Sequence, residues 1–173
     1  MRQEIIFGGF GGQGILLIGE IFAEAAFLQG KEVAYTTSYG ASSRGEKCSS
    51  QVVVSDEAID FPGVVAFDIL VIMHQESHDE FISKTDHETK IIFDSEIVKK
   101  ILPEKANYIP IKADSSNMIM LGAMVAATEI VSLDNVREIV KKKTGRFADK
   151  NIQALEQGYQ LIKKGGDQAA FLL

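Results

Sequence analysis

Short apolar runs alternate along this chain with stretches of helical period, and that alternation restricts it to an α/β fold built on a largely parallel sheet. The spacing predicts strands at about 4–7, 32–36, 50–54, 68–73, 90–93 and 107–111. Runs such as Ile69-Leu70-Val71-Ile72 carry no polar alternation, so both faces of the sheet must be covered by helices. Helices are predicted at 14–28, 76–83, 117–131, 133–143 and 149–164. In the first, Leu17, Ile21, Ala25 and Leu28 share one face and Gly30 ends it. Ser115 or Ser116 offers an N-cap to the third and Ser132 to the fourth, while Gly145 and Gly165-Gly166 stop the last two. No helical period separates the second and third strands. So short a connection lets them pair antiparallel. The expectation is a single Rossmann-like three-layer α/β domain over residues 1–173, with a mostly parallel sheet and one antiparallel pair. A chain of 173 residues, 46% apolar and 24% charged, can bury a sufficient core without a metal or disulfide staple. The apolar end, residues 169–173, is expected to dock on this domain or on a partner.

Charge and cysteine content exclude several functions. Eighteen Lys and Arg against 24 Asp and Glu give a net charge of −6, which repels nucleic acid unless a basic face is segregated. The one dense basic run, Lys141 to Lys143, is explained by the negative end of a helix dipole. The uncharged stretches 5–19 and 115–128 are shorter than a membrane span needs. Glu4 and six glycines argue against a signal peptide, so a cytoplasmic location is expected. Cys48, the only cysteine, can form no internal disulfide and cannot by itself hold an iron–sulfur cluster.

The densest local signal is Gly8-Gly9-Phe10-Gly11-Gly12-Gln13-Gly14, between the first strand and the first helix. Gly9, Gly11 and Gly14 satisfy G-x-G-x-x-G in a strand–loop–helix setting, where amides at a helix N-terminus welcome an anionic oxygen. The plainer alternative is a tight turn with close helix–strand packing. Dinucleotide binding also asks for an acid at the end of the second strand, and Val33-Ala34-Tyr35-Thr36-Thr37 has none. Gly9, Gly11, Gly12, Gln13 and Gly14 are therefore candidates for an anion or interface loop rather than an NAD site.

A second loop, residues 38–47, is rich in hydroxyls and carries Ser38, Tyr39, Gly40, Arg44 and Gly45. A guanidinium beside glycine can grip a carboxylate or phosphate; an incidental cation in a solvated loop is the alternative. His74 and His78 stand at i and i+4, but no third ligand is identifiable, and His74 fits a strand-to-helix turn. His87 and the pair Asp56-Glu57 read as surface turns. Cys48 begins a strand, with no helix N-terminus to activate it, and no G-x-S-x-G elbow exists. Asp94 ends the fifth strand, where such sheets line their crevice, though it could serve only as a cap.

Gly9-Phe10-Gly11-Gly12-Gln13-Gly14, Ser38-Tyr39-Gly40 with Arg44-Gly45, Ser55-Asp56-Glu57-Ala58-Ile59, Phe93-Asp94-Ser95 and Asn117-Met118-Ile119-Met120-Leu121-Gly122-Ala123, in that order, resemble the gamma subunit of 2-oxoacid:ferredoxin oxidoreductases. The likeness is greatest to the 2-oxoglutarate branch, with pyruvate and branched-chain relatives close behind. It implies an assembly that decarboxylates a 2-oxoacid, forms an acyl-CoA from coenzyme A and reduces ferredoxin. Thiamine diphosphate, magnesium and iron–sulfur clusters would belong to alpha, beta and ferredoxin-like delta subunits, and this chain would be architectural, with no cofactor of its own. The site residues implied to lie near partner or substrate are Ser38, Tyr39, Gly40, Arg44, Gly45, Asp94 and Asn117, with none catalytic and none metal-binding. Glu46 stands where the family commonly has a second glycine after the arginine. A stand-alone Rossmann-type nucleotide-binding oxidoreductase and a ligand-sensing module are the alternative readings.

Overall fold

A computed structural model describes residues 1–39, 46–102, 104, 106–114 and 116–164. Six strands, β1 (Arg2–Phe10), β2 (Glu32–Tyr39), β3 (Lys47–Ser55), β4 (Ile69–Ile72), β5 (Lys90–Asp94) and β6 (Asn107–Ile111), form one sheet in the order β2-β3-β1-β4-β5-β6. β3 alone runs against its neighbours, antiparallel to both β2 and β1, while β1, β4, β5 and β6 are mutually parallel. The antiparallel pair expected from the short connection is thus β2–β3, and the same strand reverses again against β1.

Helices cover the two faces unequally. On one face α1 (Ile15–Leu28) and α3 (Asn117–Thr128) lie on the strands, with α4 (Leu133–Thr144) and α5 (Ala148–Lys164) packed against them. Phe7, Ile18, Phe22, Val52, Val71, Ile92 and Met124 form the centre of this larger core. The other face holds α2 (Gln75–Phe81) and the 3-10 turn Ile82–Lys84, which close a smaller cluster around Ile6, Leu70, Ile72, Phe81 and Phe93. α3 is buried from Met118 to Ala126, as a helix between a sheet and another helix must be. α5 can approach it because glycines meet at the crossing: a Cβ on Gly122 would strike the Leu155 carbonyl, and one on Gly158 the Ile119 carbonyl.

Three expectations change. β1 runs on through Gly8 and Gly9 to Phe10, because these residues pair with Ser49, Cys48 and Lys47 of β3, so the glycine loop is only four residues long. The buried face of α1 keeps Ile21 and Ala25 of the predicted stripe but is completed by Ile15, Ile18 and Phe22, while Leu17 is only partly buried and Leu28 is 47% exposed at the end of the helix. α3 stops at Thr128 rather than 131, since Glu129 turns into the left-handed region at φ 54°. Ser116, one of the two proposed caps, accepts from the Ile119 amide, and Ser132 from the Asn135 amide. Residues 165–173, including the apolar end, lie outside the described residues.

Candidate functional site

The parallel strands deliver their carboxyl ends to one edge, and most of the singled-out residues gather there. After Phe10 the chain turns through Gly11, Gly12, Gln13 and Gly14 into α1. Gln13 fixes that turn. Its Oε1 accepts from the Phe10 amide at 2.7 Å, and its Nε2 donates to the Met73 carbonyl at 3.1 Å, binding the ends of β1 and β4 together. Gly14 has φ 73° and sits against Asn117, whose Nδ2 donates to the Gly14 carbonyl at 3.3 Å. A Cβ on Gly14 would fall inside that amide, and one on Gly9 would lie 2.6 Å from Gln13 Oε1 and from Ile15. Gly12, at φ 100°, has open space where a Cβ would be.

The described ends of the second loop, Ser38 with Tyr39 and Glu46 with Lys47, reach the same place. Gly11 donates its amide to the Glu46 carbonyl at 2.8 Å. Ser38 is exposed near the end of β2, and Tyr39 pairs through its backbone with Cys48. Gly40, Arg44 and Gly45 lie outside the described residues. Beside the loop, Ser38, Lys47, Cys48, Ser49, Ser77, Glu80 and Phe81 line a cavity of about 180 Å³, spanned by the 3.0 Å Lys47–Glu80 ion pair. Burial pushes the Cys48 thiol above its ordinary pKa, which favours the thiol over the nucleophilic thiolate.

Three helices start at this edge, and they start differently. His74 caps α2, its Nδ1 accepting from the Glu76 amide at 3.3 Å, with its ring tilted against that of Phe10 at 3.9 Å between centroids. Ser116 caps α3. α1 begins at Gly14 with no side-chain cap and no acid in its first turn. Its leading amides and dipole end are suited to an anionic oxygen or a partner carbonyl.

Two other candidates are buried. Asp94 is fully buried at the end of β5, where its Oδ1 accepts from the Glu96 amide at 3.0 Å, the capping role raised as its alternative. His78 is buried away from His74, its Nε2 2.8 Å from the Tyr108 hydroxyl and its Nδ1 3.0 Å from Asp79. Among the described residues no three His, Cys, Asp or Glu side chains are grouped to hold a metal ion, and no helix is long and apolar enough to cross a membrane. Gln13 as a double anchor was not evident in sequence, since its partner strand lies 60 residues away. Its only signal was a single amide side chain among glycines.

A family model described as pyruvate ferredoxin/flavodoxin oxidoreductase matches residues 4–161. The chain belongs to that family. Within it, the 2-oxoglutarate synthase subunit KorC of Methanocaldococcus jannaschii is 35% identical over 179 residues, covering 95% of this chain and 96% of the relative. The crystal structure of the keto/oxoacid ferredoxin oxidoreductase gamma subunit from Geobacter sulfurreducens superposes with a TM-score of 0.78 at 30% identity, over 91% of this chain and 96% of that one. The 2-oxoglutarate:ferredoxin oxidoreductase of Magnetococcus marinus, solved with 2-oxoglutarate, coenzyme A and succinyl-CoA, shares the fold at a TM-score of 0.85 and 24% identity. The match covers 94% of this chain and 31% of that one. The predicted α/β class and the resemblance drawn from the motifs both hold.

Proposed function

We propose that this chain is the gamma subunit of a cytoplasmic 2-oxoacid:ferredoxin oxidoreductase of the 2-oxoglutarate type, with residues 1–173 forming one gamma-type domain. The observation that carries the reading is the end-to-end match with KorC, which spans nearly the whole of both chains. In the complex, a 2-oxoacid and coenzyme A become an acyl-CoA, carbon dioxide and a proton as two electrons pass to ferredoxin. Thiamine diphosphate, magnesium and iron–sulfur clusters would sit in alpha, beta and delta subunits. Among the described residues the carboxyl edge offers backbone amides and a glycine turn.

The work left to this chain is to present that edge. Gln13 and Asn117 hold the glycine turn in one shape, so the uncapped start of α1 meets its target without reorganising. The target is a thiamine-binding subunit beside the active-site entrance, with a phosphate or carbonyl oxygen of bound coenzyme A within the same reach. Copurification from the native host, followed by assay of 2-oxoglutarate, pyruvate and branched-chain 2-oxoacids with coenzyme A and ferredoxin, tests the reading. Recovery of thiamine-binding subunits and acyl-CoA formation fastest with 2-oxoglutarate are expected. A chain that purifies alone and binds NAD or FAD in titration would overturn it.

A further inference from the structure

The last two helices differ in charge from the rest of the chain. Residues 1–132 carry ten Lys and Arg against nineteen Asp and Glu, whereas residues 133–164 carry eight against four. The excess gathers where α4 meets α5. Lys141, Lys142, Arg146 and Lys150 are all exposed within ten consecutive residues. The same stretch holds one acid, Asp149, and the aromatic Phe147, which is 55% exposed and has the Arg146 guanidinium 4.8 Å from its ring centroid.

Intramolecular pairing accounts for little of this. Lys143 is the cation that serves the fold, lying between Glu20 at 2.8 Å and Glu24 at 2.6 Å and tying α4 to α1. Lys142 reaches Glu24 only at 3.7 Å, and among the described residues Lys141, Arg146 and Lys150 form no salt bridge. Helix electrostatics explains only the first two: Lys141 and Lys142 end α4, where the dipole is negative. Arg146 and Lys150 flank the start of α5, the positive end, where a cation is unfavourable. Two cations are therefore kept against the helix field, beside an exposed aromatic ring. Arginine and aromatic side chains together are the composition of an interface.

We propose that this cationic cap is a docking surface for an acidic face of a companion subunit, an inference that rests on the gamma-subunit reading. A long polyanion would meet the acidic remainder of the chain, whereas a local acidic patch on a protein would not.

The test is reconstitution of the complex from this chain and its copurifying subunits, with binding rates measured at low and high ionic strength. The triple variant Lys141→Glu/Arg146→Glu/Lys150→Glu should bind about tenfold more slowly at low salt, and the difference should close at high salt. Its urea midpoint should stay close to the parent's, because the loss at the negative end of α4 from Lys141→Glu is offset by two cations leaving the positive end of α5; a merely structural cluster would lose stability instead. Arg146→Lys with Lys150→Arg should bind like the parent. Equal binding rates for the triple variant, or a raised KM for coenzyme A with unchanged assembly, would overturn the proposal. If the parent chain itself joins no thiamine-binding subunit, the gamma-subunit reading fails, and the two failures are told apart by the parent alone.

Discussion

The amino edge of the sheet and the start of α1 treat backbone amides in opposite ways. At the amino edge carboxylates take them up. Glu4, 5% exposed, accepts from the Val65 and Ala66 amides and pairs with Arg2 at 2.8 Å. Asp68 accepts from the Glu4 amide at 2.7 Å, and Asp86 from the Glu88 amide at 2.9 Å. At the carboxyl edge the glycine turn places no carboxylate at the start of α1. The amino edge is thus satisfied from within, and the start of α1 keeps hydrogen-bonding capacity for something outside the chain. The difference separates residues that hold the fold from residues that face a partner.

The comparison can be broken first at Glu4. Glu4→Ala removes the acceptor of two amides and the partner of Arg2, and should cost about 2–4 kcal/mol in urea unfolding. The glycine turn, far from the change, should keep its amide exchange protection. Gly14→Ala comes next. A side chain there is strained at a left-handed φ and displaces Asn117, for about 1–3 kcal/mol, with the loss read both in urea unfolding and in assembly of the complex.

Gly12→Ala sharpens the contrast. It has open space around it, so the cost is conformational only, about 1 kcal/mol, while assembly or the KM for coenzyme A should worsen several-fold. A variant that assembled and turned over like the parent would remove Gly12 from the interface. The smallest effect is at Asp56, whose carboxyl is held down to about 2 by Lys31 and then by the Met1 ammonium. Because the folded value lies below the ordinary 3.8, this stabilisation is present above 3.8 and lost as the pH falls towards about 2. Asp56→Asn should flatten the acid limb of the stability curve in that interval and leave neutral activity unchanged.

Much of the fold was legible because its signals are local. β6 occupies the predicted 107–111, and β4 is the unbroken apolar run at 69–72. Ser116 and Ser132 cap helices as their side-chain chemistry requires. What escaped was set by distant partners. Gly8 and Gly9 look like punctuation in sequence, yet β3 holds them as strand. Asn117 was singled out by its motif, but its contact with Gly14 spans 103 residues and has no periodicity to betray it. The buried face of α1 was half legible, Ile21 and Ala25 but not Ile18 and Phe22, because nearly every position of that helix is apolar, so packing rather than pattern selects the side. Likewise nothing local distinguishes Asp94 at a crevice from Asp94 capping a turn.

The single reversed strand has one further consequence. β3 meets β1 and β2 in registers fixed along eight or nine residue pairs, while only residues 40–46 connect Tyr39 to Lys47. Lengthening that connection costs only a slowly growing closure entropy, roughly 0.6 kcal/mol for each doubling. Descendants of this sequence can therefore vary its length for a changed companion while every crossover of the parallel core stays as it was.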